Sequence, residues 1–207
     1  MRAQRDERFR SVLNGSALSL CDTVGVLLGA RLNGIPVPER VTGIDLLEPL
    51  CDALAGNGLP VYLLGGRGDT AARAGMSLLA RHPKLVVSGA RDGYFGPNDD
   101  ASVARDIAAS GARVLLAGLG FPRQELWLAD NLPATGCAVG IGVGGSLDVL
   151  AGNVERAPAA WRSLNLEWLY RLVREPRRWR RQLALPAFVF LTLREAASAR
   201  IARRAAS

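Results

Sequence analysis

Short apolar runs alternate with longer segments from residue 60 onward, and this alternation restricts the fold more than any other feature of the sequence. The longer segments have the apolar spacing of helices, as in DTAARAGMSLLARH, where Asp69 is placed to cap the helix. Strands that alternate with helices form a largely parallel sheet covered on both faces. The sequence therefore predicts an α/β fold with these strands: PVYLLGG, KLVVSG, RVLLAGLG and CAVGIGVGG.

Glycine-rich loops follow three of the predicted strands, after residues 64, 117 and 142. Ligands of such sheets bind beyond the carboxyl ends of the strands. Glycines there let backbone N–H groups approach a phosphate or a sugar, although each loop alone is equally well explained as a tight turn. Three loops at one edge favour a nucleotide-type ligand. The glycines are Gly65, Gly66, Gly68, Gly118, Gly120, Gly142, Gly144 and Gly145.

One of these loops also fits a dinucleotide-binding pattern. The string GRGDTA matches GxGxxA, but Val87 and Ser88 stand where an acidic residue for the ribose is expected. An NAD-linked enzyme would also leave the basic C-terminal end and the GLGFPRQELW stretch unexplained. We therefore predict no nicotinamide cofactor.

The charge of the chain is concentrated at its C-terminal end. Residues 171–207 contain ten arginines and two acidic residues, a net charge of +8, whereas residues 1–170 carry −1. A cationic end predicts an anionic partner. We divide the chain into a body, residues 1–160, and an Arg-rich helical appendage, residues 161–207.

An apolar run at residues 183–193 follows the arginines and contains Pro186. It is much shorter than the roughly 20 residues that a membrane-spanning helix needs, so we expect the appendage to lie on a membrane rather than cross it. The alternative is a nucleic-acid-binding module in which Trp161, Trp168 and Trp179 stack on bases. The apolar run favours an anionic bilayer, and we expect no nucleic-acid partner.

Isolated polar residues at predicted turns are the candidates for chemistry. Asp22 lies between the apolar LSLC and the helical VGVLLGARL, so it is either a helix N-cap or a general base. Arg40 and Asp45 flank a Thr-Gly turn before a helix. Gln124 and Glu125 lie in the first turn of the helix after GLGFPR, where the Gln124 amide suits a sugar hydroxyl or an acetamido group.

The sequence predicts no metal centre. It contains no DxD triplet, and Asp99 and Asp100 are interpreted as a loop and helix cap. Three cysteines without CxxC spacing favour a reducing compartment. His82, the single histidine, is expected at a solvated helix end.

Five strings occur along the chain in this order: RVTGIDL, GLGFPRQELW, GVGGSLDVLAG, ERAP and LEWLYRLVREPRRWRR. In these strings and in their order, the chain resembles the WecG/TagA/CpsF glycosyltransferases. That resemblance implies a Rossmann-like body and an inverting, metal-independent transfer without a cofactor. The donor that the resemblance implies is a UDP-sugar, typically of N-acetylmannosamine, and the implied acceptor is undecaprenyl-diphosphate-N-acetylglucosamine. The family also includes enzymes that transfer other hexoses for exopolysaccharides.

The resemblance also implies roles for individual residues. Asp22 falls on the carboxylate that deprotonates the acceptor hydroxyl, and Arg40 and Gln124 fall on active-site positions near the sugar and diphosphate. The arginines of the appendage match positions that meet a diphosphate, at an active site on the inner face of the bacterial plasma membrane. The expected substrate-binding residues are Thr42, Asp45, Gly65, Tyr94, Gly118, Gly144, Gly145, Asp148, Arg171, Arg178 and Arg181.

Two departures from the family pattern are visible in the sequence. A segment that contributes a strand before the first helix is expected to be missing, and Cys21-Asp22-Thr23 stands where the family usually has Pro-Asp-Gly. A truncated inactive homologue is therefore an alternative to an active enzyme. Formation of homo-oligomers through the body stays open.

Overall fold

The computed structural model describes residues 1–174, 179 and 184–205, and its contacts divide the chain into two compact units. The first, which we call the sheet unit, comprises Asp6–Ala17 and Gly43–Glu155. The second, the helical unit, comprises Met1–Arg5, Leu18–Thr42 and the described part of Arg156–Ser207. The two units are described separately. The division at residue 160 stays a prediction.

The sheet unit contains a parallel sheet with the strand order β2-β1-β3-β4. Residues Val61, Val114 and Val139 begin three neighbouring strands and lie side by side. The predicted α/β class is thereby confirmed. The strands are β1 (Val61–Gly65), β2 (Val87–Arg91), β3 (Val114–Gly118) and β4 (Val139–Gly142).

Helices connect and cover these strands. Short 3-10 turns lie at Pro97–Asp99 and Leu132–Thr135. The α-helices of the sheet unit are α1 (Glu7–Gly15), α3 (Gly43–Gly56), α4 (Thr70–Arg81), α5 (Asp100–Ala109), α6 (Arg123–Asn131) and α7 (Ser146–Leu150).

Side chains of the central strands point alternately into two cores, as strand geometry requires. Leu63 and Leu116 are buried with residues of α3, α4 and α7 on one face. Leu64 and Leu115 are buried with Trp127 and with residues of α5 on the other face. Because both faces are covered, β1 is fully apolar and buried along its length, which is why its sequence shows no polar alternation.

The first helix, α1, packs against α6. Asp6 caps it by accepting a hydrogen bond from the Phe9 amide at 2.9 Å. The buried Phe9 ring contacts Phe121 edge-to-face at 5.2 Å between centroids, and Arg8 pairs with Asp130 at 2.6 Å. Helix α1 therefore supports the segment that leads into α6.

The helical unit consists of helices and connecting segments in its described part. Its helices are α2 (Val24–Leu32), α8 (Ala159–Ser163), α9 (Glu167–Arg174) and α10 (Ala184–Ala205), with a 3-10 turn at Arg2–Gln4. Within the described residues, no helix is both long enough and apolar enough to cross a bilayer.

Close packing of α2 against α10 depends on a glycine. A Cβ at Gly29 would lie 2.9 Å from Phe188 Cζ and 3.4 Å from the Thr192 side chain. Gly25, one turn earlier, also faces Phe188, but a Cβ there would lie 3.7 Å away, an ordinary contact distance. The small residues of α2 thus let the C-terminal helix approach closely, as in other helix pairs with glycines four residues apart.

Candidate active site

The predicted glycine loops lie at one edge of the sheet unit. They follow β1, β3 and β4, which are adjacent and parallel, so their carboxyl ends meet. Gly65 pairs with Gly118 in register, and the Gly66 amide donates to the Gly118 carbonyl at 3.3 Å. Gly144 and Gly145 follow the end of β4 and lead into α7. This edge is the site that parallel α/β sheets use for ligands.

Gln124 joins two of these loops. It lies in the first turn of α6, is 7% exposed, and its Oε1 accepts a hydrogen bond from the Gly144 amide at 3.1 Å. Its Nε2 donates to Glu125 Oε1 at 2.9 Å. A Cβ at Gly142 would lie 2.6 Å from Gln124 Nε2, so the end of β4 needs a glycine to admit this amide. The structure therefore places Gln124 at the predicted edge with most of its amide engaged internally.

Arg123 fixes the loop after β2 to the start of α6. Its two terminal nitrogens donate to the carbonyl oxygens of Gly93 at 2.7 Å and Phe95 at 2.8 Å. Its guanidinium also lies 4.4 Å from the centre of the Phe95 ring. The loop that carries Tyr94 is thus held beside the first turn of α6, which the sequence motifs did not indicate.

Tyr94 presents its ring at the same edge. The side chain is 71% exposed, and the Arg67 guanidinium lies 5.2 Å from the ring centre. Asp92 accepts a hydrogen bond from the Tyr94 amide at 2.8 Å and fixes the backbone of the turn. An exposed aromatic ring with a cation beside it can stack on a flat group and meet a negative charge.

Asp148 belongs to a polar network between α7 and α4. Its Oδ1 accepts from Asn153 Nδ2 at 3.2 Å, and the same amide donates to Thr70 Oγ1 at 3.0 Å. Arg73 donates to the Ala151 carbonyl at 3.0 Å. These contacts stabilise the turn after α7.

In the helical unit, one backbone hydrogen bond brings the segments of Asp22 and Arg40 together. The Val41 amide donates to the Cys21 carbonyl at 3.0 Å. Asp22 is exposed and precedes α2, whose N-cap is Thr23, with Oγ1 accepting from the Val26 amide at 3.3 Å. The N-cap alternative for Asp22 is therefore wrong, because the neighbouring threonine supplies the cap.

Arg40 lies beside a buried carboxylate of the same unit. Its Nη2 is 4.0 Å from Glu167 Oε2, and the two side chains are 16% and 8% exposed. Thr42 is buried. The planar guanidinium group of an arginine presents a fork of donors that matches the two oxygens of a carboxylate or a phosphate.

The predicted site residues are distributed over both units. Asp22, Arg40, Thr42 and Arg171 belong to the helical unit. Arg178 and Arg181 lie outside the described residues, and so does the side chain of Arg171. The predicted residues of the sheet unit are Asp45, Gly65, Tyr94, Gly118, Gln124, Gly144, Gly145 and Asp148.

A second polar cluster lies at the opposite edge of the sheet, where α4 ends after running back from β1. His82 is 7% exposed, with Nδ1 2.8 Å from Asp52 Oδ1 and Nε2 3.0 Å from Glu48 Oε2. Arg81 also contacts Glu48. The prediction of a solvated histidine is wrong, because α3 brings two carboxylates to the ring and encloses it.

Burial near this cluster raises the pKa of the Cys51 thiol from 9.0 to about 11, and the negative charge of Glu48 adds to the effect. Such a thiol stays protonated at neutral pH and is a poor nucleophile. Among the described residues, no group of three or more His, Cys, Asp or Glu side chains could hold a metal ion. The contacts of His82 with Glu48 and Asp52 join the end of α4 to α3.

Sequence relatives identify the class of protein to which this fold and edge belong: the chain is a glycosyl transferase. It belongs to the glycosyl transferase WecG/TagA/CpsF family, whose pattern matches residues 1–202. It is 35% identical over 199 residues to the "N-acetylglucosaminyldiphosphoundecaprenol N-acetyl-beta-D-mannosaminyltransferase" of Bacillus spizizenii, covering 96% of this chain and 77% of that protein. The protein of the same name from Bacillus subtilis is 33% identical over 193 residues, covering 93% and 75%.

Proposed function

We propose that this chain transfers a sugar, N-acetylmannosamine or a related hexose, from a UDP-sugar to an undecaprenyl-diphosphate-linked sugar with inversion, in the synthesis of a cell-surface polysaccharide or an exopolysaccharide. The observation that carries the proposal is the similarity over nearly the whole chain to two proteins named for transfer of N-acetylmannosamine to an undecaprenol-linked N-acetylglucosamine. The loops at the carboxyl edge of the sheet support a nucleotide-sugar donor there, because that edge presents backbone amides, an exposed tyrosine and a polar helix start.

Asp22 is the general base of the proposed reaction. Its carboxylate takes the proton of the acceptor hydroxyl as that oxygen attacks the anomeric carbon of the donor, and the bond to the UDP oxygen breaks. The support is its exposed position outside α2, next to the segment of Arg40.

Arginines stabilise the leaving diphosphate in this proposal. Arg40 serves near the sugar and diphosphate, and Arg171, Arg178 and Arg181 serve from the C-terminal segment. Guanidinium groups bind phosphate oxygens in pairs and can neutralise the charge that develops on UDP. The concentration of ten arginines in residues 171–207 supports this role.

The protein acts, in this proposal, on the inner face of the bacterial plasma membrane as a peripheral protein. Helices α2 and α10 expose apolar side chains, including Leu28 at 52% and Phe190 at 65%. Apolar side chains next to a net positive charge suit an anionic lipid surface, where each basic residue contributes about 1 kcal/mol. A lipid-linked acceptor would be met at that surface.

The proposal is tested by measuring transfer from UDP-N-acetylmannosamine, UDP-N-acetylglucosamine and UDP-glucose to a short-chain lipid-diphosphate-N-acetylglucosamine. Transfer from one of these donors is expected, and the product should have the inverted anomeric configuration by NMR. Co-sedimentation with anionic vesicles is expected to need residues 171–207. Absence of turnover with all three donors would contradict the donor class, and retention on DNA in preference to anionic lipid at equal salt would contradict the membrane partner.

A further inference from the structure

The first turn of α6 contains a carboxylate oxygen that has no hydrogen-bond partner within the part of the chain that the structure describes. Glu125 Oε2 is buried and unpaired there, whereas Glu125 Oε1 accepts from Gln124 Nε2 at 2.9 Å. A buried acceptor without a donor is costly, because it has lost water without gaining a replacement. Such a group in a native structure needs an explanation, and a ligand that donates a hydrogen bond to it supplies one.

The terminal nitrogens of Arg123 and Gln124 donate hydrogen bonds to atoms other than Glu125 Oε2. Gln124 directs its Oε1 to the Gly144 amide and its Nε2 to Glu125 Oε1, so its amide orders the carboxylate. Both terminal nitrogens of Arg123 are engaged with the carbonyls of Gly93 and Phe95. The result is a chain of hydrogen bonds that runs from the loop after β4 through Gln124 and ends at one open acceptor on Glu125.

This acceptor lies close to the loops at the carboxyl edge of the sheet, where a ligand is expected to bind. Glu125 lies in the helix that follows β3, and its partner Gln124 is bonded to the loop after β4. Both loops belong to the carboxyl edge of the sheet, where ligands of this architecture bind. A sugar offers hydroxyl groups and, in an N-acetylated sugar, an amide N–H, each of which can donate to a carboxylate.

We propose that Glu125 Oε2 accepts a hydrogen bond from a hydroxyl or amide N–H of the donor sugar, and that Gln124 is the positioning residue that orients this carboxylate. The inference rests on the proposed function, since it needs a nucleotide-sugar donor. It assigns Glu125 to recognition of the sugar rather than of the nucleotide. Removal of the acceptor should therefore weaken binding of the sugar part alone.

A purely structural role makes a different prediction. A carboxylate in the first turn of a helix interacts favourably with the helix dipole, and its loss lowers stability without affecting a ligand selectively. The substitution Glu125→Gln keeps the size and retains one acceptor oxygen for Gln124, but it replaces the other oxygen by an NH₂ group. The hydroxyl or amide N–H of the sugar would then face an NH₂ group, which cannot accept its hydrogen bond.

The experiment is isothermal titration of the full chain with UDP and with UDP-N-acetylmannosamine. For Glu125→Gln we expect the Kd of UDP to stay within about twofold and the Kd of the UDP-sugar to rise about tenfold, as for a lost hydrogen bond to a charged group. The matched control is Asp100→Asn, which alters another carboxylate in the first turn of a helix in the same unit. Asp100 already accepts from Trp127 Nε1 at 2.9 Å, so this control should leave the ratio of the two Kd values unchanged.

The outcomes distinguish failure of the inference alone from failure of the proposed function. Selective loss of UDP-sugar affinity in Glu125→Gln, with the melting temperature kept, supports the contact. Equal affinities of wild type and Glu125→Gln for the UDP-sugar overturn it while leaving the donor class intact. Equal weakening of UDP and UDP-sugar assigns Glu125 to structure and also overturns it. A wild-type chain that binds neither compound overturns the proposed donor and, with it, this inference.

Discussion

The sheet unit and the helical unit hold their polar residues in different ways. In the sheet unit, the candidate residues are fixed by contacts between loops, as when Gln124 bonds to the Gly144 amide and Arg123 to two carbonyls. In the helical unit, the candidate base Asp22 is exposed and Arg40 has a carboxylate at 4.0 Å. The polar side chains of the first region are therefore held by neighbouring loops, whereas the Asp22 carboxylate of the second is exposed to solvent.

The apolar side chains differ in the same way. Leu63, Leu64, Leu115 and Leu116 of the sheet unit are completely buried. Helices α2 and α10 of the helical unit leave several apolar side chains at least half exposed, among them Leu28 and Leu193. The sheet unit therefore buries these leucines in its own core, whereas the described part of the helical unit leaves apolar side chains exposed. Substitutions can therefore separate the contributions of the two units.

The largest effect is expected from Asp22→Asn. If Asp22 removes the proton of the acceptor hydroxyl, an amide cannot replace it, and turnover should fall by about 10²–10⁴-fold. Because Thr23 supplies the N-cap of α2, the helix content measured by circular dichroism should not change. Asp130→Asn, at another exposed carboxylate, serves as the control and should keep its activity. Wild-type turnover in Asp22→Asn would remove this residue from the mechanism.

The next effect concerns stability and compares a leucine from each unit. Leu116→Ala removes a completely buried side chain from the sheet and should lower the free energy of unfolding by about 2–5 kcal/mol. Leu28→Ala acts on a side chain that is 52% exposed and should change it by less than about 0.5 kcal/mol in the absence of lipid. Chemical denaturation of the two variants checks the comparison, which fails if Leu28→Ala costs as much as Leu116→Ala.

The sheet unit is the part of the fold that could be predicted well from the sequence. PVYLLGG, RVLLAGLG and CAVGIGVGG contain β1, β3 and β4, because strands covered on both faces are continuous apolar runs bounded by glycine. Helix α4 begins at Thr70 as expected, but Asp69 makes no side-chain cap hydrogen bond and pairs with Arg73 at 3.1 Å instead. The local sequence pattern therefore predicted the start of α4 correctly, but it predicted the wrong partner for the Asp69 carboxylate.

Contacts between residues distant in sequence could not be predicted in this way. His82 is enclosed by Glu48 and Asp52, which lie about 30 positions earlier on another helix, and no local pattern encodes that meeting. Arg123 was overlooked for the same reason, since its carbonyl partners follow β2. Gln124 could be chosen as a candidate from the sequence, because it lies at the start of a helix that follows the end of a strand, and both are visible in the sequence. The roles of all the candidate site residues remain predictions that the substitutions above test.

A smaller effect should distinguish two glycines of the helical unit. Gly25→Ala and Gly29→Ala both gain helix propensity, worth up to about 1 kcal/mol each. At Gly29 the new Cβ would lie 2.9 Å from Phe188 Cζ, whereas at Gly25 it would lie 3.7 Å from Phe188 Cε1. We expect Gly29→Ala to be less stable than Gly25→Ala by about 1 kcal/mol, with faster hydrogen exchange in α10 and unchanged exchange in β1 and β3. Equal stability of the two variants would mean that Phe188 moves aside at no cost.

The smallest effect is expected for the reactivity of Cys51 toward thiol reagents. Burial raises the pKa of the Cys51 thiol to about 11, above the value of 9.0 for an unperturbed thiol. A raised pKa in the folded state means that the thiol supports stability below about pH 9 and that this support is lost as the pH rises toward 11.

At pH 8, iodoacetamide should therefore modify Cys21, which is partly exposed, and spare the buried Cys51 and Cys137. Mass spectrometry of the native chain and of the chain unfolded in guanidinium checks this, with Cys21→Ala as the control that should take up no label when native. If native Cys51 is labelled as fast as Cys21, the packing of α3 against α4 opens readily enough to expose the buried thiol, which would contradict the prediction.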